Sequence, residues 1–553
     1  MRRIDVGVRR REPATRKAGL RRGMFAAVLL PALAGGFMLQ SLAGGDGRQV
    51  FQEVLSRVSA FGVDSIGDDS LYAMAARGLI RRIGDPYAEL FSPEQLAEFQ
   101  RENLRNGYGG MGMLVELVRD TATVARVYPH TPAEDAGVRV GDRIVRVEGQ
   151  GVTGIPLDQV TAKLLGPEGS TVRVTFVRHG AGAPREIEAR RRVVHIPVVT
   201  PSVMLDGQVG YVPLDRFSES AAEEMYNAVA NLRKSGAKAF VIDLRGNGGG
   251  SLDQSIRISN LFVDKGDEIL RVVYRNAPTE VYRAAEQPLL GGEPVVVLTD
   301  EGTASASEIV AGALQDHDRA VVVGMPSFGK GLVQDLFRLD GGWALKLTTG
   351  KWYTPSGRSI QRERHVLPDG SFAADDTVPP TDSALAARPK FRSDAGRTVF
   401  GGGGITPDLV VRADTLEGPE RALMRTLSLR GGTVNRVVSE MSFELLETLR
   451  LAPGFQTDPA WREELFRRLK AAGVEVDRRE YDAGGQVVDR ILASRLSSLA
   501  FGDADVFRRQ VPRDNQLQAA LGIVRGARTQ AEAFARVPAA TAGPATVAAN
   551  GGE

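Results

Sequence analysis

The spacing of apolar residues changes along this 553-residue chain and divides it into segments of different predicted structure. Between residues 46 and 105, apolar residues such as Val50, Val54 and Val58 recur at helical spacing, which predicts an N-terminal helical region. Residues 106–195 contain short apolar or alternating runs separated by turn residues, which predict a small β-rich domain. Its expected elements are strands 113–118, 121–127, 143–148 and 171–177 and helices near 131–136 and 157–165.

From Val209 onward, runs of β-branched residues alternate with helical patterns, which is typical of an α/β domain with buried strands. We expect this domain to span residues 196–415, with a surface insertion at 366–398 where Pro, Asp and Ala are frequent. Helical spacing returns over 416–536, and the Ala/Gly/Pro/Thr-rich residues 537–553 predict a disordered tail. The expected elements of the α/β domain are strands 209–213, 240–244, 295–299 and 321–324, helices 218–234 and 305–315, and a hairpin of 333–339 with 343–353.

The composition is that of a globular protein with several folded units, at 42% apolar and 25% charged residues. The net charge of +2 is unevenly distributed, because residues 1–23 contain nine Arg or Lys and only two acidic residues. The rest of the chain is therefore mildly acidic, and no basic patch indicates a nucleic-acid partner. Cysteine is absent, which excludes disulfides, thiol nucleophiles and cysteine-bound zinc.

The apolar residues 24–43 directly follow the basic segment, and two interpretations of them remain open. They form either an uncleaved anchor, long enough to cross about 30 Å of hydrocarbon, or a signal peptide cleaved near residues 41–43. A buried core helix is disfavoured, since nine cations precede the segment. Because a basic flank stays in the cytoplasm, both interpretations place the body of the protein in the cell envelope, anchored to the inner membrane or exported to the periplasm.

The histidines are scattered, and none has the spacing of a metal site or lies in a recognisable triad motif. His317 is expected to be a surface residue at the end of a helix. We therefore predict neither a metal nor a cofactor. The five histidines are residues 130, 179, 195, 317 and 365.

A serine stands where the predicted strand 295–299 turns into the following helix. Ser305 and Glu308 match a capping box, so a purely structural role at the helix N-terminus is one interpretation. The position also suits a nucleophile. The next amide, Ala306 N–H, would point outward with the helix dipole behind it, which suits an oxyanion.

A lysine follows twenty-five residues later, within a glycine-rich segment. Residues 324–330 match most of a P-loop, but Gly331 replaces the Ser or Thr that would bind magnesium, so nucleotide binding is disfavoured. A neutral Lys330 can accept the proton of a serine hydroxyl, which requires burial to lower its pKa by several units from about 10.4. Alternate residues of a strand share a face, so Gln334 is placed to orient the lysine. A solvated loop lysine is the alternative interpretation.

Two other glycine-rich segments complete the candidate chemistry. The run Gly246–Gly250 follows a buried strand and can bring backbone N–H groups to an oxyanion, although such runs also serve tight turns. Residues 107–112 precede the predicted strand 113–118. A groove beside that strand can bind a peptide as an added strand, while loop amides hold its C-terminal carboxylate.

Eight motifs between residues 70 and 412 together resemble those of carboxyl-terminal processing proteases, which are serine peptidases of the S41 (tail-specific) family with a PDZ domain. The resemblance implies an α/β fold class, with a crotonase-like peptidase core at 196–415, a PDZ domain inserted at 106–195, and flanking helical segments. The motifs are Gly84-Asp-Pro-Tyr-Ala-Glu-Leu-Phe-Ser-Pro-Glu, Gly109-Gly-Met-Gly112, Gly137-Val-Arg-Val-Gly-Asp142-Arg-Ile, Asp243-Leu-Arg-Gly-Asn-Gly-Gly-Gly250, Thr303-Ala-Ser-Ala-Ser-Glu-Ile309, Gly329-Lys-Gly-Leu-Val-Gln334, Thr354-Pro-Ser-Gly357 and Gly404-Ile-Thr-Pro-Asp408.

The same resemblance implies roles for individual residues. Ser305 would be the nucleophile, Lys330 the general base, and Gln334 the residue that holds the lysine. The oxyanion hole would combine the N–H of Ala306 with one near Gly249. The residues expected to form the carboxylate loop of the PDZ domain are Gly109, Gly110, Met111 and Gly112.

The predicted function is that of a serine endopeptidase that selects proteins with unstructured, apolar C-termini and proceeds through an acyl-enzyme. Its expected partners are substrates with free C-termini and the membrane, through residues 24–43. The helical flanks are candidate surfaces for homo-oligomer formation. The alternative is a catalytically inactive, membrane-anchored scaffold that binds peptides, against which the intact Ser305, Lys330 and Gln334 argue.

Overall fold

The chain divides into two compact units, residues 1–85 and residues 86–553. The described part of the first unit contains two helices, α1 (Gly47–Phe61) and α2 (Asp68–Arg82). The Asp46 carboxylate caps α1 by accepting a hydrogen bond from Arg48 N–H. The computed structural model describes residues 46–103, 107–181, 183–206, 208–366, 372–373, 380–416, 418–538 and 546–547.

The second unit begins with a short segment that leads into the predicted β-rich domain. Its elements are β1 (Glu89–Phe91), α3 (Pro93–Asn103), β2 (Gly107–Gly110), β3 (Met113–Val118), β4 (Thr121–Val127), α4 (Pro132–Asp135), β5 (Arg143–Val147), β6 (Gln150–Gly151), α5 (Leu157–Leu164), β7 (Thr171–Val177), β8 (Arg185–Arg190) and β9 (Arg192–His195). The main sheet has the order β3-β4-β5-β7-β8, while β2 pairs separately with β9. Strand β3 is therefore an edge strand, and helix α5 lies beside it. Ile144, Val147 and Val160 are fully buried in the core of this domain.

An α/β domain follows. Its elements are β10 (Val203–Leu205), β11 (Val209–Pro213), α6 (Ala221–Lys234), β12 (Ala239–Asp243), α7 (Leu252–Asn260), β13 (Glu268–Tyr274), β14 (Glu280–Arg283), β15 (Val295–Thr299), α8 (Ala306–Asp316), β16 (Val321–Gly324), β17 (Leu332–Arg338), β18 (Ala344–Tyr353), β19 (His365–Val366), β20 (Phe372–Ala373), α9 (Asp382–Ala387), β21 (Lys390–Arg392), β22 (Thr398–Phe400) and β23 (Leu409–Val411). The central strands β11, β12, β15, β16 and β23 pair in parallel.

The chain ends in a helical region that contributes one two-residue strand to the central sheet. Its elements are α10 (Gly418–Ser428), α11 (Gly431–Thr448), α12 (Pro459–Ala471), α13 (Arg478–Ala483), α14 (Gly485–Phe501), α15 (Asp503–Gln510), α16 (Asn515–Val524), α17 (Gln530–Ala535) and β24 (Thr546–Val547). Helices α10 to α14 share an apolar core that includes Leu423, Leu469 and Leu492.

The central parallel sheet is buried on both faces. One face packs against α6 and α8, where Ile242 joins Met225 and Val310 in a single apolar cluster. The other face packs against α16 from the C-terminal region, where Val241 and Leu521 belong to a second cluster. Coverage on both sides explains why every residue of β11, β12, β15 and β16 is buried.

A second, antiparallel sheet positions the lysine segment. Strand β18 is at its centre, with β17 along one edge and both β1 and β13 along the other. The register pairs Leu332 with Lys351 on one side and Glu89 with Lys346 on the other. Segments from before and after the β-rich domain therefore meet in one sheet.

The β-rich domain also contacts the C-terminal helices α11, α14 and α15. Its β3–β4 hairpin supplies most of these contacts, with a small apolar cluster surrounded by ion pairs. The cluster contains Ala125, Phe443 and Leu499. The ion pairs are Arg119–Glu444, Arg126–Asp503 and Glu116–Arg495.

The predicted fold class is confirmed, since an α/β core carries a β-rich domain and helical flanks. One expectation about an individual residue is wrong: His317 is not a surface residue, because its side chain is only 10% exposed and contacts Asp394 and the Glu268 carbonyl. Within the described residues, no helix combines the length and apolar character needed to cross a membrane. The calls on residues 1–23 and 24–43 lie outside the described residues, as do those on parts of 366–398 and most of 537–553.

Candidate active site

Ser305 lies at the turn between β15 and α8, at the N-cap of the helix. Its backbone has φ 57° and ψ −116°, a conformation that is rare for a residue with a side chain. Such strain costs on the order of 1–3 kcal/mol and persists only where the surroundings enforce it. Ser305 is partly exposed, whereas every residue of α8 is buried. The turn therefore presents the serine at the accessible end of an otherwise enclosed helix.

The surroundings that enforce this turn centre on Glu308, one turn into α8 and fully buried. Its Oε2 atom accepts hydrogen bonds from the backbone N–H groups of both Ser305 and Lys330. One side chain therefore joins the serine turn to the lysine loop. The four donors to the carboxylate are Ser305 N–H (2.8 Å), Lys330 N–H (2.8 Å), Gly329 N–H (2.7 Å) and Ser327 Oγ–H (2.5 Å).

The charge state of Glu308 reflects two opposed effects. Burial raises its pKa, while the hydrogen bonds from Ser327 and from the three backbone N–H groups favour the carboxylate. All four neighbours donate hydrogen bonds, and an ionised carboxylate can accept all of them. A protonated carboxyl group would place its own O–H against one of these donors.

Lys330 lies between β16 and β17 and is half-buried. Its carbonyl accepts a hydrogen bond of 3.1 Å from the indole Nε1 of Trp352, which is itself buried. The following amide, Gly331 N–H, donates to Gln361 Oε1 at 2.9 Å. With Lys330 N–H held by Glu308, the backbone on both sides of the lysine is fixed. The amine Nζ lies 4.7 Å from the centroid of the Tyr87 ring.

Gln334 lies in β17, where it pairs with Thr348 of β18. Its amide Nε2 donates to Thr348 Oγ1 over 3.4 Å, a long hydrogen bond. Strand β17 begins at Leu332, so Lys330 lies before the strand. The alternation of side chains along a strand, from which we predicted that Gln334 lies beside Lys330, therefore does not extend to the lysine. The role of Gln334 in holding the lysine stays a prediction.

The two predicted oxyanion residues lie against the serine turn. No acceptor in the described part of the chain takes a hydrogen bond from Ala306 N–H, the first amide of α8. A Cβ added at Gly249 would lie 2.9 Å from Ser305 Cβ and 3.0 Å from Ala306 N, so only glycine fits this close approach. The N–H of Gly249 donates to Asn247 Oδ1 at 2.9 Å. An oxyanion here would have to share or replace that bond.

Asn247 is a buried residue that was not among the predicted site residues. Its carbonyl accepts hydrogen bonds from Ala304 N–H at 3.0 Å and from Ser307 Oγ at 2.9 Å. Its side-chain amide donates to Leu214 O at 2.7 Å. These bonds tie the glycine run to the serine turn. The available signal was a single amide residue between glycines directly after a buried strand.

The predicted carboxylate loop lies in the β-rich domain. Gly109 and Gly110 belong to β2, paired with Val193 and Arg192 of β9. Gly112 has φ +82°, and a Cβ there would come within 2.3 Å of Thr131. In the described chain, no carbonyl accepts a hydrogen bond from the N–H of Met111 or Gly112. These two backbone N–H groups, directly before edge strand β3, therefore have no backbone acceptor among the described residues, and both residues are buried.

Comparisons with known proteins match both parts of this arrangement. Residues 208–371 match the model of peptidase family S41, and residues 123–178 match that of the PDZ domain. The carboxy-terminal-processing protease of Bartonella bacilliformis (strain ATCC 35685 / KC583 / Herrer 020/F12,63) is 34% identical over 315 residues, which cover 56% of this chain and 72% of that protein. The chain belongs to the carboxy-terminal processing protease family.

Two further proteins are similar to parts of this chain. The carboxy-terminal processing protease CtpA of Bacillus subtilis (strain 168) is 37% identical over 297 residues, or 54% of this chain and 63% of that protein, so the match spans less than two thirds of it. The solved structure of the photosystem II D1 C-terminal processing protease is 29% identical and covers 55% of this chain and 82% of that one, with a TM-score of 0.32.

In this carboxy-terminal processing protease family member, the C-terminal region reaches the loop beside the serine turn. The Arg245 guanidinium, directly before the glycine run, forms ion pairs with Asp243 (2.6 Å) and with Asp514 (2.7 Å). The same guanidinium donates to Gln516 Oε1 at 2.9 Å, and Tyr211 OH donates to Asp243. These charged contacts raise the pKa of Arg245 although burial opposes its charged form. Residues 514–516 therefore help to hold the segment that carries Gly249.

Proposed function

We propose that this chain is a serine endopeptidase that cleaves proteins with unstructured, apolar C-termini, using Ser305 as nucleophile and Lys330 as general base. The observation that carries this proposal is the shared Glu308 oxygen, which binds the backbone N–H groups of both residues. A glutamate that only caps the helix needs the hydrogen bond from Ser305 N–H but not the one from Lys330 N–H. The additional bond to Lys330 is what an active site requires if nucleophile and base are to keep a fixed spacing.

The chemistry would proceed in two halves. Neutral Lys330 would remove the Ser305 hydroxyl proton while the serine oxygen attacks the scissile carbonyl. Ala306 N–H, at the N-terminus of α8, would stabilise the negative charge that develops on the carbonyl oxygen. The protonated lysine would then donate to the leaving amine, and the peptide bond would break to leave an ester on Ser305.

In the second half, water would attack this acyl-enzyme. Lys330, neutral again after protonating the amine, would take a proton from the water molecule. The tetrahedral intermediate would collapse, the Ser305 oxygen would leave with the proton carried by Lys330, and the N-terminal fragment would be released with a new C-terminal carboxylate. No metal is required in either half.

Substrate selection would fall to the PDZ domain. A peptide would add to the free edge of β3, with its carboxylate at the N–H groups of Met111 and Gly112. We further propose that residues 24–43 direct the body of the protein to the cell envelope, as an anchor or as a signal peptide. Gln334 would orient Lys330 from β17.

The test is proteolysis by the purified protein. We would incubate the chain with an unfolded protein that ends in apolar residues and with the same protein ending in charged residues. We expect cleavage of the first at a higher kcat/KM than the second, and none by Ser305→Ala. If the intact chain binds the apolar C-terminus but releases no fragment, the peptide-binding scaffold would be the better description.

A further inference from the structure

Tyr87 lies in a segment that is firmly attached to the second sheet. Two residues later, β1 pairs with β18, with Glu89 opposite Lys346 and Phe91 opposite Ala344. The Glu89 carboxylate binds Lys346 Nζ at 2.9 Å, and the buried Phe91 ring stacks on Phe99 with centroids 4.9 Å apart. The position of Tyr87 is therefore set by strand pairing, an ion pair and aromatic packing.

The Tyr87 ring contacts the group that our proposed mechanism uses as a base. Lys330 Nζ lies over the ring, 4.7 Å from its centroid. Glu308 and Trp352 bind the lysine backbone, whereas the ring contacts the lysine side chain. Contact with the ring therefore helps to set the position of Nζ when no substrate is bound.

This contact favours one protonation state of the lysine. The face of an aromatic ring carries negative charge density, so it attracts an ammonium group within about 6 Å of the centroid, whereas a neutral amine gains little. A general base, however, must be neutral before it can accept a proton. The ring therefore stabilises the form of Lys330 that cannot act as base.

We infer that Tyr87 is a positioning residue that holds Lys330 as an ammonium ion in the resting site and so sets the pH range in which the lysine becomes a base. The inference rests on the proposed function only for its consequence in catalysis. The contact between ring and amine, and its effect on protonation, exist whether or not the chain cleaves peptides. The protonation of Lys330 is therefore measured separately from proteolysis.

Two variants separate the ring from the rest of the side chain. Tyr87→Phe keeps the aromatic face and removes only the hydroxyl. Tyr87→Leu keeps an apolar group of comparable size over the amine, and so much of its shielding from water, but removes the aromatic face. A difference between the two variants reports the ring itself.

The first measurement uses the full chain with Ser305→Ala, so that no proteolysis takes place. The rate at which acetic anhydride modifies Lys330 is followed against pH by mass spectrometry of peptides, since only the neutral amine reacts. We expect Tyr87→Leu to move the midpoint of this curve to lower pH by roughly 0.5–1.5 units, and Tyr87→Phe to leave it near that of the parent. Equal midpoints for all three proteins would overturn the inference.

The second measurement follows kcat/KM against pH in chains that retain Ser305. We expect Tyr87→Leu to shift the rising limb to lower pH by a similar amount, which raises kcat/KM roughly 3- to 30-fold below the parent midpoint. A uniform loss at every pH, without a shift of the limb, would indicate a merely structural tyrosine and overturn the inference. If the parent chain cleaved no substrate but Tyr87→Leu still shifted the midpoint of lysine modification, only the proposed function would be contradicted.

Discussion

Ser305 and Lys330 donate their backbone N–H groups to the same atom, Oε2 of Glu308, each over 2.8 Å. The two nitrogen atoms therefore lie within twice that distance of each other, although the residues are twenty-five positions apart in the sequence. The carboxylate belongs to the helix that begins directly after the serine, so the spacing between the two loops is fixed from inside α8.

Replacing Glu308 should separate these two loops. In Glu308→Gln, an NH₂ group must face two of the four donors, which leaves buried groups unpaired and costs about 1–3 kcal/mol of the free energy of unfolding. We expect kcat/KM to fall by about 100-fold or more, mostly in kcat, because the reacting groups lose their alignment. Steady-state kinetics and urea unfolding test this. Glu301→Gln, an exposed neighbour, is the control, and normal kcat in Glu308→Gln would contradict the prediction.

The proposed dyad should behave as one unit. Ser305→Ala and Lys330→Ala should each lower kcat by about 10⁴-fold or more, and the double variant should be no worse than either single one. Gln334→Ala should be milder, since Gln334 does not transfer a proton. Kinetics with circular dichroism as a folding control test this. Substantial turnover by Lys330→Ala would rule out the lysine as base.

The terminal carboxylate of the substrate should matter to the PDZ domain. Amidating the C-terminus of a peptide substrate removes the charge that the N–H groups of Met111 and Gly112 would bind. A charge-assisted contact of about 1.5–3 kcal/mol corresponds to a roughly 10- to 150-fold lower kcat/KM. The comparison uses the free-acid and amidated forms of one peptide. Equal values would leave the domain without a role in recognising the terminus.

The ion pair between Arg245 and the C-terminal region should contribute to stability. Asp514 also caps α16 by accepting from Leu517 N–H, and asparagine caps a helix nearly as well. Asp514→Asn therefore removes the charge and keeps the cap, and we expect a loss of about 1–2 kcal/mol in the free energy of unfolding. The control is Asp477→Asn, at a helix cap whose carboxylate accepts only from backbone N–H groups among the described residues. Equal effects of the two variants in urea would exclude a contribution from Arg245.

His317 should make stability depend on pH. Burial opposes protonation of its ring, but the hydrogen bonds to the Glu268 carbonyl and the Asp394 carboxylate outweigh this and raise the pKa of His317 above 6.5. Its contribution is therefore complete below about pH 6.5 and is lost as the pH rises through the folded-state pKa. We expect the Tm difference between the parent and His317→Gln to be larger near pH 5.5 than near pH 8.5. A constant difference would contradict this.

The buried strands of the α/β core were the most predictable part of the fold. Strands 209–213, 295–299 and 321–324 have the predicted bounds, because each is a short apolar segment next to turn or polar residues. Strands β8 and β13 were not predicted, because charged residues interrupt the apolar residues in both. In such segments, pairing with neighbouring strands decides the structure more than the local pattern does.

The candidate site was predictable only in part, for a related reason. Ser305 and Lys330 lie in motifs that can be read locally, and the capping role of Glu308 follows from its spacing to Ser305. The second bond of Glu308, to Lys330, and the contact of Tyr87 with the lysine join segments that are distant in sequence. Neither leaves a periodic signal, because each depends on how two sheets and a helix are assembled.

Helix α16, which covers one face of the parallel sheet, is encoded more than a hundred residues after strand β23. Ser305 and Lys330 are therefore synthesised well before α16. Until α16 is made, one face of the central sheet has no cover and Arg245 has no Asp514 to pair with. The second face of the sheet can be covered only after α16 has been made. A truncation that removed residues 514–536 would therefore expose one face of the central sheet and destabilise the whole α/β domain.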